Sequence, residues 1–213
     1  YEKSKKIKSA TKKQIQAIFK NKINYHLYII EQEGERDDYD IINEKLRQPN
    51  SKMAKFNLGM IKNIGYVIAN EESKQDKKSY FVLSDIDLLP SQLLIDDYLK
   101  YPDNPIHLAN LGTRYNSEGK NKDFLGGVIS FNSKDFESCN GYPNHYWGWG
   151  GEDESLKYRL DQNKIEITKS EHPVIDLESL TMEEKMDDLR KRKNKENLKW
   201  EKATEEKKGN NWK

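Results

Sequence analysis

Residues 80–90 read YFVLSDIDLLP, an unbroken apolar run closed at once by Ser84, Asp85, Ile86 and Asp87. A short apolar run with no alternation reads as a strand buried on both faces. Other short apolar runs fall at 24–31, 106–111, 124–131, 165–168 and 174–177, and helical patterns separate several of them. Strands that alternate with helices imply an α/β layer fold, here with a mixed, mostly parallel sheet flanked by helices. Ligands in such folds sit beyond the carboxyl ends of the strands. Asp85 and Asp87 follow a strand directly, so they fall on that rim, and the two-residue side-chain period puts both on the same side.

The helical patterns supply the rest of the core. Ile7, Ile15, Ile18 and Phe19 recur at helical intervals in a Lys-rich segment over 1–22. Within 40–70, Phe56, Met60, Ile61, Ile64, Val67 and Ile68 are spaced for one buried face. Further helices are expected from Pro90 to Leu99, over 133–139 and over 152–162, the last with acids in its first turn. Residues 1–180 read as one domain. Residues 181–213 read as a charged helical extension that packs on it through Met182, Met186, Leu189, Leu198 and Trp200.

Charge narrows the partners. The 213 residues are 34% charged and 34% hydrophobic, with a net charge of +1. That balance gives no global attraction to nucleic acid or to an anionic membrane. No apolar run reaches the roughly 18 residues of a membrane helix, and no secretory signal opens the chain. The single cysteine, Cys139, closes no disulfide within the chain. Together these favour a cytoplasmic, reducing compartment, with an anchor upstream of Tyr1 left open.

The chemistry is concentrated in residues 140–160, NGYPNHYWGWGGEDESLKYRL. Trp147 and Trp149 offer flat faces on which a sugar can stack, and the glycines between them make poor core, so the segment reads as a substrate loop that can close as a lid. Glu152, Asp153 and Glu154 crowd three acids together. Like charges raise one another's pKa, which suits a general base for an alcohol. Asp85 and Asp87 have two readings, a carboxylate pair for a divalent cation or a cap on the next helix. Gly126 and Gly127, inside an apolar run, mark close approach by a ligand or another backbone. His172 reads either as a metal ligand or as a surface residue before Pro173, with Asp176 and Glu178 as rival ligands. Cys139, His26, His107 and His145 read as packing or solvated residues.

Several blocks, in order, make the chain similar to the β-1,4-galactosyltransferase family, glycosyltransferase family 7. They are Lys55-Phe56-Asn57, Ile64-Gly65, the FVLSDIDLLP of 81–90, the FLGGV of 124–128 and residues 141–160. The resemblance covers roughly 25–160. It implies a GT-A fold and an inverting, Mn²⁺-dependent transfer of a hexose from a UDP-sugar to a saccharide or glycoconjugate hydroxyl. It implies that Asp87 binds the metal, Asp85 holds donor hydroxyls, Asp153 is the catalytic base, Glu152 grips the donor sugar and Glu154 the acceptor. Phe56 and Asn57 match the nucleotide-contacting helix, and Trp149 the closing loop. Phe124 stands where the family discriminates galactose from its N-acetyl form, and its bulk favours UDP-galactose. The chain departs from the pattern at Leu58, where the family has Arg, at Glu154, where it often has Asp, and in lacking a P-x-R-x-R segment and a clear Met and His metal pair. A catalytically inactive carbohydrate- or nucleotide-binding module, or one domain of a polysaccharide polymerase, is the competing reading.

Overall fold

The computed structural model describes residues 12–13, 15–20, 22–32, 56–73, 78–113, 124–146, 150–178, 181, 183–184 and 187. Ile7, Trp147, Trp149 and the extension anchors Met182, Met186, Leu189, Leu198 and Trp200 lie outside the described residues.

Two sheets organise the rest. Strands β1 (Phe81–Ser84), β4 (Val128–Phe131), β3 (Ile106–His107) and β5 (Thr168–Lys169) lie side by side in that order. Strands β2 (Leu88–Pro90) and β6 (Val174–Asp176) form a separate antiparallel pair. The larger sheet is mixed, as expected, but only β3 and β5 run parallel; β1 pairs β4 and β4 pairs β3 antiparallel. Antiparallel pairing therefore predominates among the described strands. The expected strand at 124–131 begins only at Val128, because Gly127 turns at a positive φ of 86°. The run at 24–31 forms no strand. It lies along a helix instead, with Tyr28 bonded to Glu72 and the Gln32 side chain accepting from the Asn57 N–H.

Side-chain alternation in β1 and β4 divides the core in two. On one side Val128 packs with Phe19, Leu94, Ile95, Tyr98, Leu108 and Val174, and Ile15, Ile18 and Val82 lie against them. Residues 15–19 are helical, as their spacing predicts. On the other side Ile129 and Phe131 pack with Leu83, Tyr66, Phe136, Tyr142, Leu156 and Leu160. This second core contains α3 (Ser133–Ser138) and α4 (Glu152–Gln162), and α1 (Leu58–Ser73) closes over it. After β2, Gln92–Leu94 forms a 3₁₀ turn that runs into α2 (Ile95–Leu99). Cys139 is buried, its Sγ donating to the Phe136 carbonyl, and burial pushes its thiol up to about 11. It is a packing residue, as expected.

The buried face of α1 is only partly the expected one, with Ile61 buried and Val67 packed against the second core. Gly59, Ile61, Lys62, Asn63 and Tyr66 are buried, whereas Phe56, Ile64 and Ile68 are exposed. Gly59 explains part of this. A methyl group there would come within 2.5 Å of the Pro143 carbonyl oxygen, so only glycine lets α1 approach the turn before α4. Asn63 then locks the contact, donating to the Tyr142 carbonyl at 2.7 Å and accepting from the Tyr142 N–H at 2.9 Å. No helix among the described residues is long and apolar enough to cross a membrane.

Candidate active site

The turn after β1, the 124–127 segment, α1 and the first turn of α4 meet at one place. The Asp85 N–H donates to the Gly127 carbonyl at 2.9 Å, which ties the D-x-D turn to the double glycine. The strand ends at Ser84 and residues 86–87 turn, so the two-residue period of a strand does not carry through both aspartates. Asp85 faces α1, where its Oδ1 stands 2.9 Å from the Lys62 ammonium. Asp87 is drawn toward β6, with its carbonyl accepting from the Leu177 N–H at 2.9 Å.

Asp153 reaches the same place from α4. Gly151, in the left-handed region at φ 94°, starts this helix and puts all three acids in its first turn. A methyl group at Gly126 would strike the Asp153 carboxylate and come within 2.6 Å of the Phe124 ring. The close approach expected at this glycine is thus made by a carboxylate and a ring of the chain itself. Asp153 Oδ1 is buried with no hydrogen-bond partner. Burial pushes its carboxyl up to about 8; Lys62 opposes the shift, and Glu152, Asp85 and Glu154 add to it. Glu152 is 7% exposed and is also raised, mainly by burial. Like-charge crowding is therefore real, but it is the smaller cause beside desolvation.

The Phe124 ring stands edge-on to His107, with centroids 5.9 Å apart. His107 is buried and donates from Nε2 to the Gly126 carbonyl at 2.9 Å. Burial pushes its pKa down to about 4, so at neutral pH it is an uncharged prop for the glycine turn. Beside Phe124 opens a cleft of about 500 Å³ whose wall includes Lys157 and Asp161 of α4, Lys164 of the turn after it and Lys169 of β5.

The remaining predicted residues fall differently. Phe56 is 49% exposed, as a face for a base requires. Asn57 is fully buried and caps α1, its Oδ1 accepting from the Met60 N–H and its Nδ2 donating to the Asn144 carbonyl. Its side chain is spent on structure rather than turned to a nucleotide. Glu154 is exposed at the outer edge of the first turn. His172 sets its Nδ1 3.1 Å from Asp97 Oδ2, joining the loop before β6 to α2. The carboxylates that press on Asp87 are Asp85, Glu178 and Asp176, and with burial they raise its pKa. Asp97 holds the Nδ1 side of the His172 ring and leaves Nε2 as the nitrogen that could meet an ion, so His172 stands beside Asp176 and Glu178 as a candidate ligand. Lys62 was missed by sequence reasoning, which treated α1 as an apolar stripe. The spacing of Gly59, Lys62, Asn63 and Tyr66 at i, i+3, i+4 and i+7 was the available signal.

Carboxylate oxygens are the donors that a hard divalent cation prefers, and by donor type Asp87, with Asp176 and Glu178 acting on it, matches that preference. Among the described residues, no group of three His, Cys, Asp or Glu is gathered closely enough to hold a metal ion.

Residues 107–185 match the family model described as the N-terminal domain of galactosyltransferase. Among curated proteins, β-1,4-galactosyltransferase 4 of Mus musculus is 32% identical over 155 residues, 70% of this chain and 37% of that protein. β-1,4-Galactosyltransferase 1 of Bos taurus is 29% identical over 152 residues, 70% of this chain and 32% of that protein. The chain thus spans about a third of the length of these relatives. A solved structure of a Drosophila β-1,4-galactosyltransferase 7 mutant, in complex with manganese, UDP-Gal and xylobiose, matches with a TM-score of 0.58 at 20% identity. It covers 81% of this chain and 62% of that one. A structure of the Drosophila catalytic domain with xylobiose matches at 0.57, covering 78% and 60%. The fold is the GT-A fold.

Proposed function

The chain belongs to the β-1,4-galactosyltransferase family, glycosyltransferase family 7, and from that premise we propose that it transfers galactose from UDP-galactose to a saccharide hydroxyl with inversion. The observation that carries the reading is the state of Asp153. Its carboxylate lies against Gly126 beside the Phe124 ring, with a buried Oδ1 that has no hydrogen-bond partner and a raised pKa. A general base needs a free acceptor atom and a pKa near working pH. Asp153 would take the proton of the acceptor hydroxyl at Oδ1 as that oxygen attacks the anomeric carbon. Inversion follows from a single displacement on the face opposite the leaving UDP.

The other residues orient the reactants. Asp85, anchored by Lys62, would hold donor hydroxyls, and Glu152 would grip the same sugar from the start of α4. Glu154, at the outer edge of that turn, would meet the acceptor. Phe56 offers its exposed face to the uracil. The cleft beside Phe124 suits the acceptor saccharide. Asp87, with Asp176, Glu178 or His172, would hold the metal. Manganese, when bound, supplies positive charge against the departing diphosphate. The manganese, UDP-Gal and xylobiose in the Drosophila complex support this choice of donor, ion and acceptor class. Holding the reactants in line and placing charges in advance would supply most of the acceleration.

The test is turnover of a panel of UDP-sugars on saccharide acceptors, with Mn²⁺ and with chelator. Mn²⁺-dependent transfer from UDP-galactose is expected. A folded chain that binds UDP yet turns over none of the donors would support the binding-module reading instead.

A further inference from the structure

Lys62 is the one residue of the site for which neither the D-x-D nor the Gly-rich segment accounts. It sits in the second turn of α1 with its side chain 5% exposed, and its Nζ stands 2.9 Å from Asp85 Oδ1. An ammonium has three donors, and one carboxylate oxygen at 2.9 Å accounts for only one of them at a buried nitrogen. The same Nζ lies 5.1 Å over the Tyr142 ring. An ammonium is strongly hydrated and is buried only where negative charge compensates it. Asp85 alone supplies one such charge. Asp153 comes to the same place, its carboxylate against Gly126 while the next residue, Gly127, accepts from the Asp85 N–H, and the charge of Lys62 acts on both Asp153 and Glu152.

We propose that Lys62 is a positioning residue of this site, whose ammonium holds the Asp85 carboxylate in place and is the built-in counter-charge for Asp153 and Glu152. The proposal deepens the galactosyl-transfer reading and rests on it for its effect on turnover. Asp153 and Glu152, drawn together away from water beside Asp85, are repelled by like charge and favour protonation. A cation fixed on a helix offsets that repulsion without a bound ligand. Asp153 is faced by Lys62 from α1, by Asp85 from the turn after β1, by Tyr142 from the turn before α4, and by Glu152 and Glu154 on its own helix. Lys62 is the only cation in that set. The Lys62 side chain therefore both locates Asp85 and keeps Asp153 able to accept a proton.

The experiment is a pH titration of the metal-free, donor-free chain by NMR, which follows the Asp153 carboxyl carbon and the Lys62 Nζ together. In the wild-type chain the Lys62 Nζ resonance is expected to show an inflection at the midpoint of Asp153. In Lys62→Met the Asp153 midpoint is expected to rise by about one pH unit or more. In Lys62→Arg, which keeps the cation, it should stay nearer the wild-type value. The acid limb of the rate profile should move with it, with kcat falling about tenfold or more at neutral pH and KM for UDP-galactose rising through the loss of Asp85's anchor.

A Lys62 resonance that does not sense Asp153 overturns the proposal, even if Lys62→Met fails to fold. So does a folded Lys62→Met chain whose Asp153 midpoint is unchanged. The titration needs no donor or metal. Coupling in a chain that turns over nothing would therefore sink only the transferase reading, and turnover of UDP-galactose without coupling would sink only this one.

Discussion

Two groups of carboxylates meet at the turn after β1, and they are balanced in different ways. Asp85, Asp153 and Glu152 surround the buried ammonium of Lys62. Asp87 lies at the other side of the turn, where the charges that act most on it, those of Asp85, Glu178 and Asp176, are all negative. The first group carries its counter-charge in the sequence. The second has the donor chemistry of a site whose counter-charge arrives as an ion. Two aspartates separated by one residue can therefore have unlike tasks once the chain between them turns. On the proposed reading, one positions a sugar and the other takes a metal.

The largest break in this contrast is expected from Asp87→Ala. It removes the central donor of the second group, and transfer should fall by about 10³-fold or more, measured as Mn²⁺-dependent turnover. Retention of turnover would assign the metal to other residues.

Asp153→Asn comes next. Turnover should drop by about 10²–10⁴-fold, with the Kd of UDP-galactose kept within about threefold, since the change removes only a proton acceptor. The same variant should unfold at higher temperature than wild type. The folded chain binds the Asp153 proton more tightly than the unfolded chain does. The carboxyl therefore costs stability increasingly as pH rises from 3.8 toward about 8, and asparagine escapes that cost. A lower Tm across this window would show that Asp153 is stabilised by Lys62 more than it is penalised by burial. In the wild-type chain, turnover should fall as pH drops through the raised midpoint of Asp153.

Gly126→Ala sharpens the comparison by geometry. Its methyl group meets the Asp153 carboxylate and the Phe124 ring. A loss of about 1–3 kcal/mol in stability, read by denaturant unfolding, is expected with reduced turnover. Phe124→Leu should act on the donor alone, widening acceptance of UDP-N-acetylgalactosamine over UDP-galactose by about tenfold. An unchanged donor ratio would refute the steric reading of the ring. Asn57→Ala should have the smallest effect. It removes the cap of α1 at about 1 kcal/mol and leaves the Kd of UDP close to wild type, because the asparagine is spent on Met60 and Asn144.

Much of this was legible before the structure. The apolar run at 80–83 lies mostly in a strand, the acids follow it, and the first turn of α4 carries Glu152, Asp153 and Glu154 as their spacing predicted. Such features depend on neighbours in sequence. Those that depend on neighbours in space were not legible. The 24–31 run has strand composition but finds no strand partner, and packs along α1 instead. The apolar stripe of α1 predicted only part of the buried face, because Gly59 and Asn63 dock on the turn at 142–144 through backbone contacts that apolar periodicity does not report. Lys62 was hidden for the same reason. A lysine in a helix reads as solvated until the carboxylates that compensate it, more than twenty residues away, are known to meet it. For His172 the sequence left a ligand and a surface residue as equal readings, and its contact with Asp97, in a different element, was not legible.

The most direct test of the contrast is Mn²⁺ binding in the presence of UDP, read from the free-ion signal in electron paramagnetic resonance. It should be compared in the wild-type chain, in Asp87→Ala and in Lys62→Met. The account predicts that Asp87→Ala loses the bound ion while a folded Lys62→Met retains it, since Lys62 serves the other group. Equal binding by Asp87→Ala and wild type would contradict it.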